Sequence, residues 1–343
     1  MSLSDYHATT GNWREQLQRN ERKTRLVIAT FIAVYVVVGL IVDVFILQSF
    51  YPRASLGQCF YALLTLQALP YATLLMVGLA IVSLFITYAM YDHIMLLGTD
   101  SYEITPETAR NLAEKQLYNV VEEMKVAAGL QFMPKVFIIE ANYMNAFASG
   151  YSEKSAMVAI TRGLMEKLDR AELQAVMAHE LSHVRHHDIK LTLMVAILSN
   201  ILLIVIDTLF YAVIFKRDRR EDNRLLMVIM ILRYVLPLIT VVLALFLSRT
   251  REFMADAGSV ELMRDNEPMA RALLKISQDH QLNAEQYEQE YGQTAHEQVR
   301  QASYLFDPSD IDPVKSLNSA FSTHPSVDKR LEALGFKLKN RAQ

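Results

Sequence analysis

Cysteine is almost absent from this sequence. Cys59 is the only one among 343 residues, so the chain cannot form an internal disulfide, and an oxidising compartment gains no support. A zinc site made of several cysteines is also excluded, which leaves histidine and carboxylate side chains as the available metal ligands. The sequence contains neither an internal repeat nor a glycine-rich loop of the kind that binds phosphate.

An excess of basic residues is missing too. The chain has 34 Lys and Arg against 37 Asp and Glu, a net charge of −3, so no overall basic field points to nucleic acid. What the sequence does contain is apolar residues, which make up 52% of the chain and are grouped in long blocks. Such blocks indicate an integral membrane protein, with the lipid bilayer as a partner.

Four apolar blocks are long enough to form transmembrane helices. The first, at residues 26–47, suits the roughly 30 Å hydrocarbon core of a bilayer. The second, at 60–91, exceeds one perpendicular span, so we expect it to tilt, to kink at Pro70 or to end at the membrane interface. The third and fourth form a predicted transmembrane hairpin at 191–247. The N-terminal segment 1–25 carries a cluster of basic residues before the first block, which places it in the cytoplasm by the positive-inside rule.

The loop between the third and fourth blocks conflicts with this simple topology. Residues 216–224 carry five basic and three acidic side chains, and this loop faces away from the cytoplasm if both blocks cross. Either the first two helices fix the orientation, or the hairpin does not fully cross. We favour crossing, because two apolar blocks of this length are costly to leave in water.

Each block of the hairpin carries one charged side chain. Asp207 and Arg233 are equally distant in sequence from a turn near Arg220, so on two helices they lie at the same depth. An isolated charge in mid-bilayer is costly and normally finds a partner, so we expect an ion pair. The alternative is that one or both residues face a water-filled crevice or reach the surface.

Two further regions, 92–190 and 248–343, have the composition of a soluble α+β domain. A helix is expected at 107–129, and residues 277–303, rich in Gln and Glu, are expected to form a solvated helix or a loose insertion. Strands are predicted at 135–140, 145–150 and 156–161, and a final helix at 326–334. The expected fold class is therefore α+β and mostly helical, with about four transmembrane helices.

The motif His-Glu-Leu-Ser-His occupies residues 179–183, in a predicted helix with Asp169 as its N-cap. On a helix His179 and His183 share one face, which suits two nitrogens that bind one tetrahedral zinc ion. Glu180 can then reach a zinc-bound water and take its proton. The alternative is a chance match on an amphipathic helix, so the zinc hypothesis needs a third ligand.

A candidate third ligand lies just past the fourth apolar block. Glu252 and Asp256 are four residues apart and share a helix face. Glu252 can complete a His-His-Glu site, and Asp256 can accept the ring N–H of a ligand histidine. Because two apolar blocks separate this segment from the motif, the chain returns to the same membrane face. The alternative is that both residues are interfacial charges at the end of a membrane helix.

Four motifs stand out in the chain: Asn-Ala-Phe-Ala at 145–148, His-Glu-Leu-Ser-His at 179–183, Ser-Arg-Thr-Arg-Glu-Phe-Met-Ala-Asp at 248–256 and Thr-His-Pro at 323–325. Together they resemble the HtpX-type membrane zinc proteases, relatives of the CAAX-processing prenyl-protein proteases. The likeness extends over nearly the whole chain, and the 277–303 region departs from it. It implies a gluzincin-like zinc protease domain, split by the transmembrane hairpin.

By this resemblance the chain cleaves misfolded or damaged membrane proteins at the bacterial inner membrane, with a cytoplasmic active site. The resemblance implies that His179, His183 and Glu252 bind Zn²⁺. It also implies that Glu180 is the general base and that Asp256 supports a ligand histidine from behind.

Two further segments lie beside the active site by the same resemblance. The edge strand along which an extended, unfolded substrate lies would consist of Asn145, Ala146, Phe147 and Ala148. The His-Pro segment contributes His324, which we expect to stabilise the oxyanion opposite the zinc. The alternatives are that His324 begins a helix without a catalytic role, or that it is a fourth zinc ligand.

Two other functions remain open from the residues alone. A protease that cuts within the bilayer is disfavoured, because the motif helix is too polar for hydrocarbon: it carries Arg170, Glu172, Arg185 and Asp188. A membrane transporter or scaffold with a structural metal would need four protein ligands, where three are clear. His187, four residues beyond His183, is an alternative fourth. The sequence does not decide the natural substrate or whether the chain forms a homo-oligomer.

Overall fold

The computed structural model describes residues 3–8, 12–95, 99–150, 152–215, 223–293, 305 and 324–339. Most of the predicted 216–224 loop lies outside these residues, as does the end of the Gln- and Glu-rich region from 294 onwards. The chain divides into two compact units. The mixed unit comprises Met1–Thr24, Met90–Lys190 and Leu247–Gln343, and the apolar unit comprises Arg25–Ala89 and Leu191–Phe246.

Most of the described chain is helical. The helices are α1 (Trp13–Phe50), α2 (Leu56–Leu64), α3 (Tyr71–Met95), α4 (Leu112–Ala128), α5 (Arg162–Lys167), α6 (Arg170–Arg185), α7 (Asp188–Phe215), α8 (Asn223–Met263), α9 (Glu267–Leu282), α10 (Ala284–Gln293) and α11 (Val327–Ala333). The strands are β1 (Tyr6–Ala8), β2 (Ser101–Ile104), β3 (Lys135–Ile139), β4 (Ala146–Ser149), β5 (Met157–Thr161) and β6 (Phe336–Leu338). The predicted α+β, mostly helical fold class is confirmed.

The apolar unit has large hydrophobic side chains both inside and outside. Tyr35, Met76, Leu202 and Leu236 are buried in its core, whereas many others are exposed. Among the described residues, three helices are long and apolar enough to cross a membrane: Trp13–Phe50, Met194–Tyr211 and Leu226–Met263, with Tyr71–Ser83 as a shorter apolar helix. The expected count of about four transmembrane helices is therefore not confirmed.

The span predicted at 60–91 is divided between two helices. Helix α2 ends at Leu64 and α3 begins at Tyr71. Between them Leu66 adopts a left-handed conformation with a φ of 55°, which an α-helix does not contain. Pro70 directly precedes α3. An N–H at this position would have no partner within the helix, so the proline removes no helical hydrogen bond. The apolar run at 60–91 is therefore continuous in composition but not in secondary structure.

The mixed unit is built on a four-stranded sheet of order β2-β3-β5-β4. Strands β3 and β5 are parallel, while β2 and β4 run antiparallel to their neighbours, so β4 is an edge strand. The predicted strands at 135–140, 145–150 and 156–161 are confirmed to within one residue at each end. Strand β2 and the antiparallel pair of β1 with β6 were not predicted.

Helix α4 begins later than predicted. It starts at Leu112 rather than near 107, because the Asn111 side chain accepts a hydrogen bond from the Glu114 amide and caps the first turn. It stops, as predicted, at Gly129, which has a left-handed φ of 71°. Helix α6, which carries the His-Glu motif, packs against α4, α9 and β4 and so lies at the centre of the mixed unit.

Candidate metal centre

Helix α6 carries the two histidines of the motif on one face. Asp169 caps its first turn, and Glu172 completes a reciprocal capping box. The Nε2 atoms of His179 and His183 lie 3.2 Å apart. Two nitrogens that bind one tetrahedral ion at about 2.0–2.1 Å are separated by roughly 3.3 Å. The spacing of the two histidines therefore fits a single ion.

Glu252 on α8 supplies a third donor. Its Oε1 lies 3.5 Å from His183 Nε2, and its Oε2 lies 3.7 Å from His179 Nε2. Within the described part of the chain, the ligand atoms of these three residues all lie within 4.8 Å of one another. Gly258 permits the approach of α8 to α6, because a Cβ at this position would overlap the Ser182 side chain.

A carboxylate lies behind each histidine. Asp256 Oδ1 is 3.0 Å from His179 Nδ1, and Asp188 Oδ2 is 2.7 Å from His183 Nδ1. Each carboxylate can accept an Nδ1–H, which directs the Nε2 lone pair towards the candidate ion site. The sequence predicts Asp256 in this position. It does not predict that Asp188 supports His183, although Asp188 follows His183 by only five residues. Asp188 also pairs with Arg251.

The donor set suits a zinc ion. Burial lowers the pKa of His183 to about 3, and the negative charge of Glu252 opposes that shift without reversing it. The imidazole is therefore neutral at pH 7 and keeps the lone pair that a metal needs. Two histidines and one carboxylate are typical of catalytic zinc. The alternative ligand His187 is exposed in the turn after α6, has a φ of 54°, and is not part of the three-residue group.

Glu180 lies beside the candidate ligands and next to β4. Its side chain is buried, and the backbone of Ala148 hydrogen-bonds to its carboxylate. Burial, assisted by the negative charge of Glu252, raises the pKa of Glu180 well above the usual value. No described residue hydrogen-bonds to its Oε1. A buried carboxylate with raised proton affinity and an available oxygen is suited to general-base chemistry.

The predicted substrate strand lies at the edge of the sheet. Ala146, Phe147 and Ala148 belong to β4, and Asn145 directly precedes it. All four residues are buried, and Asn145 Oδ1 accepts a hydrogen bond from the Ala146 amide at 3.0 Å. The packing of α6 against β4 places this edge beside the motif helix. The role of the strand in substrate binding stays a prediction.

His324 is close to the candidate ligands. Its Nδ1 lies 3.3 Å from Glu252 Oε2, and its side chain is buried. This position is compatible with the expected role as an oxyanion donor and with the alternative of a fourth ligand. Thr323, the first residue of its motif, lies outside the described residues.

Arg330 on α11 is a residue of this site that the sequence analysis missed. Its Nε and Nη2 donate to the two carboxylate oxygens of Asp256 at 2.9 and 2.6 Å, and its Nη1 lies 3.5 Å from Glu252 Oε2. Burial alone would lower the pKa of Arg330, but Asp256 and Glu252 raise it above the usual value. The available signal was its position in the helix that begins just after His324.

Comparisons with known proteins identify the family. Residues 111–336 match the model of Peptidase family M48. The chain belongs to peptidase family M48. It is 39% identical to a protease HtpX homolog of Helicobacter acinonychis, over 94% of this chain and 98% of that protein. A protease HtpX homolog of Dictyoglomus thermophilum is 34% identical over 73% of this chain and 78% of that protein.

A solved structure is also similar to this M48 peptidase. The crystal structure of S. mikatae Ste24p covers 93% of this chain, which matches 66% of Ste24p, at 18% identity and a TM-score of 0.48. Family membership and the HtpX relatives, together with the three apolar helices, make the chain a membrane metalloprotease.

Proposed function

We propose that the chain is a zinc-dependent endopeptidase that hydrolyses peptide bonds in misfolded or damaged membrane proteins. The observation that carries this proposal is the convergence of three ligand atoms, from His179, His183 and Glu252, within 4.8 Å of one another. Glu180 follows the first ligand directly on α6 and has a raised pKa. This combination is typical of metal-assisted hydrolysis.

Each residue near the candidate centre has a role in this proposal. His179, His183 and Glu252 would hold the zinc, which when bound supplies a Lewis acid that polarises the scissile carbonyl and acidifies a water molecule. Glu180 takes a proton from the attacking water and passes it to the nitrogen of the leaving amine. His324 donates to the carbonyl oxygen as negative charge develops there.

The edge position of β4 supports the substrate class. An edge strand pairs with an extended peptide through main-chain hydrogen bonds, so selection depends on exposed chain rather than on a particular sequence. That suits a protease for unfolded segments. We place the protein in the bacterial inner membrane with a cytoplasmic active site, supported by the bacterial HtpX relatives and the basic residues before the first apolar block.

The two rival functions receive less support. A structural metal site normally closes with four protein ligands, whereas the group found among the described residues has three. A protease that cuts within the bilayer needs its motif helix in hydrocarbon. Helix α6 lies outside the three candidate spans and carries an exposed Arg185.

The substitution Glu180→Gln tests the proposal. With purified protein in detergent and unfolded casein as substrate, the variant should lose cleavage by about 10²–10⁴-fold, the usual contribution of a general base, while stoichiometric zinc is retained. Glu166→Gln, the same change at an exposed residue, is the matched control and should cleave normally. Elemental analysis measures the zinc. Loss of zinc in Glu180→Gln would make Glu180 a ligand and contradict the assignment.

The three ligand residues should behave differently from Glu180. His179→Ala, His183→Ala and Glu252→Ala should each lose cleavage together with zinc, because each removes one donor. A variant that keeps both full zinc affinity and full cleavage would remove that residue from the ligand set.

A further inference from the structure

Leu305 hydrogen-bonds to the outer side of β4. Its N–H donates to the carbonyl oxygen of Ala146 at 2.9 Å. In an antiparallel pair, successive residues direct their backbone groups alternately towards and away from the partner strand. The Thr161 N–H donates to Asn145 O at 2.9 Å, so Asn145 faces β5 and the next residue, Ala146, faces outward. Leu305 therefore occupies the edge that the proposed function reserves for substrate.

The carbonyl of Leu305 is also bound within the candidate site. Arg330 Nη1 donates to Leu305 O at 2.8 Å, and the same nitrogen lies 3.5 Å from Glu252 Oε2. The same Arg330 nitrogen is therefore near both the Leu305 carbonyl and a candidate zinc ligand. The Leu305 side chain is 1% exposed and belongs to the apolar core of the mixed unit.

Ala146 is two residues from Ala148, whose backbone meets the Glu180 carboxylate. Two residues of a strand span roughly 6.6 Å. A substrate residue beside the cleaved bond would need the same features: an N–H bound to the edge strand, a carbonyl bound by a donor, and a pocket for its side chain. Leu305 has all three.

We propose that Leu305 is a substrate mimic built into the chain. It fills the apolar subsite next to the scissile bond, and a protein substrate has to displace it. This inference rests on the proposed function and adds to it a preference for a leucine-like residue beside the cleaved bond. A residue needed only for packing would account for the burial, but not for polar contacts to both the edge strand and Arg330.

Kinetics of Leu305→Ala tests the displacement. With a fluorogenic peptide that carries leucine beside the cleaved bond, KM should fall about tenfold with kcat unchanged, because the competing internal ligand is weakened. Leu117→Ala, the same change at a fully buried leucine of α4, is the matched control and should lower the melting temperature without lowering KM. Intact mass confirms that uncut chains are compared. A KM in Leu305→Ala that is unchanged or raised would overturn the proposal.

A second measurement needs neither turnover nor a stable Leu305→Ala variant. A labelled peptide with the sequence of residues 301–309, Gln-Ala-Ser-Tyr-Leu-Phe-Asp-Pro-Ser, should bind Glu180→Gln, and the peptide with its leucine changed to aspartate should bind at least tenfold more weakly. Fluorescence anisotropy measures both. Equal binding of the two peptides would overturn the mimic. Because this test requires no cleavage, its result stands apart from any failure to detect proteolysis.

Discussion

The two units of the molecule differ in the side chains that they bury and expose. The mixed unit buries many ionisable side chains, among them Glu180, Asp256 and Arg330, and surrounds them with charged or polar neighbours. The apolar unit exposes large hydrophobic side chains, such as Leu75 at 65% and Ile81 at 62%, and contains few charges. Because a buried charge is costly without a partner in either setting, both units pair theirs. Among the described residues, the group that could hold a metal ion lies in the mixed unit, where Glu180 Oε1 is also buried without a hydrogen-bond partner.

The largest effect is expected where two buried charges depend on each other. Asp256→Ala leaves Arg330 buried without its two-point partner, which should lower the free energy of unfolding by about 3–5 kcal/mol. Zinc affinity should fall about 10–100-fold, because His179 loses the carboxylate that orients it. Thermal melting in detergent and zinc titration measure the two losses. Adding Arg330→Met to Asp256→Ala should restore stability, and a double variant as unstable as the single would contradict the pairing.

His324→Ala should affect catalysis rather than stability. Without a donor to the developing oxyanion, kcat should fall about a hundredfold, with zinc content and KM little changed. Steady-state cleavage of a fluorogenic peptide measures this. His324→Gln keeps an N–H donor and should recover part of the rate. Unaltered turnover in His324→Ala would reject the role, and loss of zinc would make His324 a ligand instead.

The sequence predicted those parts of the site that depend on one helix or on helix counting. The capped helix of the motif lies within a single element, so spacing alone brings His179 and His183 together. Glu252 was predicted from the expectation that two apolar blocks return the chain to one membrane face. The ion pair of Asp207 with Arg233 follows from equal depth and is confirmed, with Nε and Oδ1 2.9 Å apart.

The sequence did not predict contacts that depend on tertiary packing between distant segments. Arg330 reaches Asp256 across 74 positions of sequence, and Leu305 reaches Ala146 across an even longer separation. Neither residue lies in a periodic pattern or motif from which its partner could be predicted. For the long 60–91 run the sequence left tilt, a kink at Pro70 or an interfacial end open, because composition describes hydrophobicity, whereas the backbone at Leu66 decides where a helix stops.

The ion pair of the apolar unit should give a moderate effect. Asp207→Asn and Arg233→Gln should each reduce stability in detergent, and the double variant should be less damaged than the two losses added together, by about 0.5–3 kcal/mol. Arg233 should be the costlier loss, because its guanidinium carbon also lies 4.1 Å from the centre of the Phe210 ring. Thermal melting of all four proteins measures the coupling. Additive losses would reject the pairing.

The smallest effect is expected at Asp43, whose buried charge stabilises the fold and takes no part in the reaction. The Asp43 carboxylate is buried and accepts hydrogen bonds from the Ala72 and Thr73 amides at 2.7 and 3.0 Å, and from the Thr73 hydroxyl at 2.7 Å. These amides belong to the first turn of α3, where N–H groups have no partner within the helix. Asp43→Asn should therefore cost about 1 kcal/mol, because one of the two accepting oxygens is replaced by an NH2 group that cannot accept a hydrogen bond. Thr73→Val, which removes only the hydroxyl contact, should cost less.

Melting temperature in detergent orders the two variants, while cleavage per folded molecule should stay at the parental rate in both. If Asp43→Asn instead lost cleavage at an unchanged melting temperature, the Asp43 charge would take part in the reaction. That result would contradict the assignment of the reaction to the mixed unit alone.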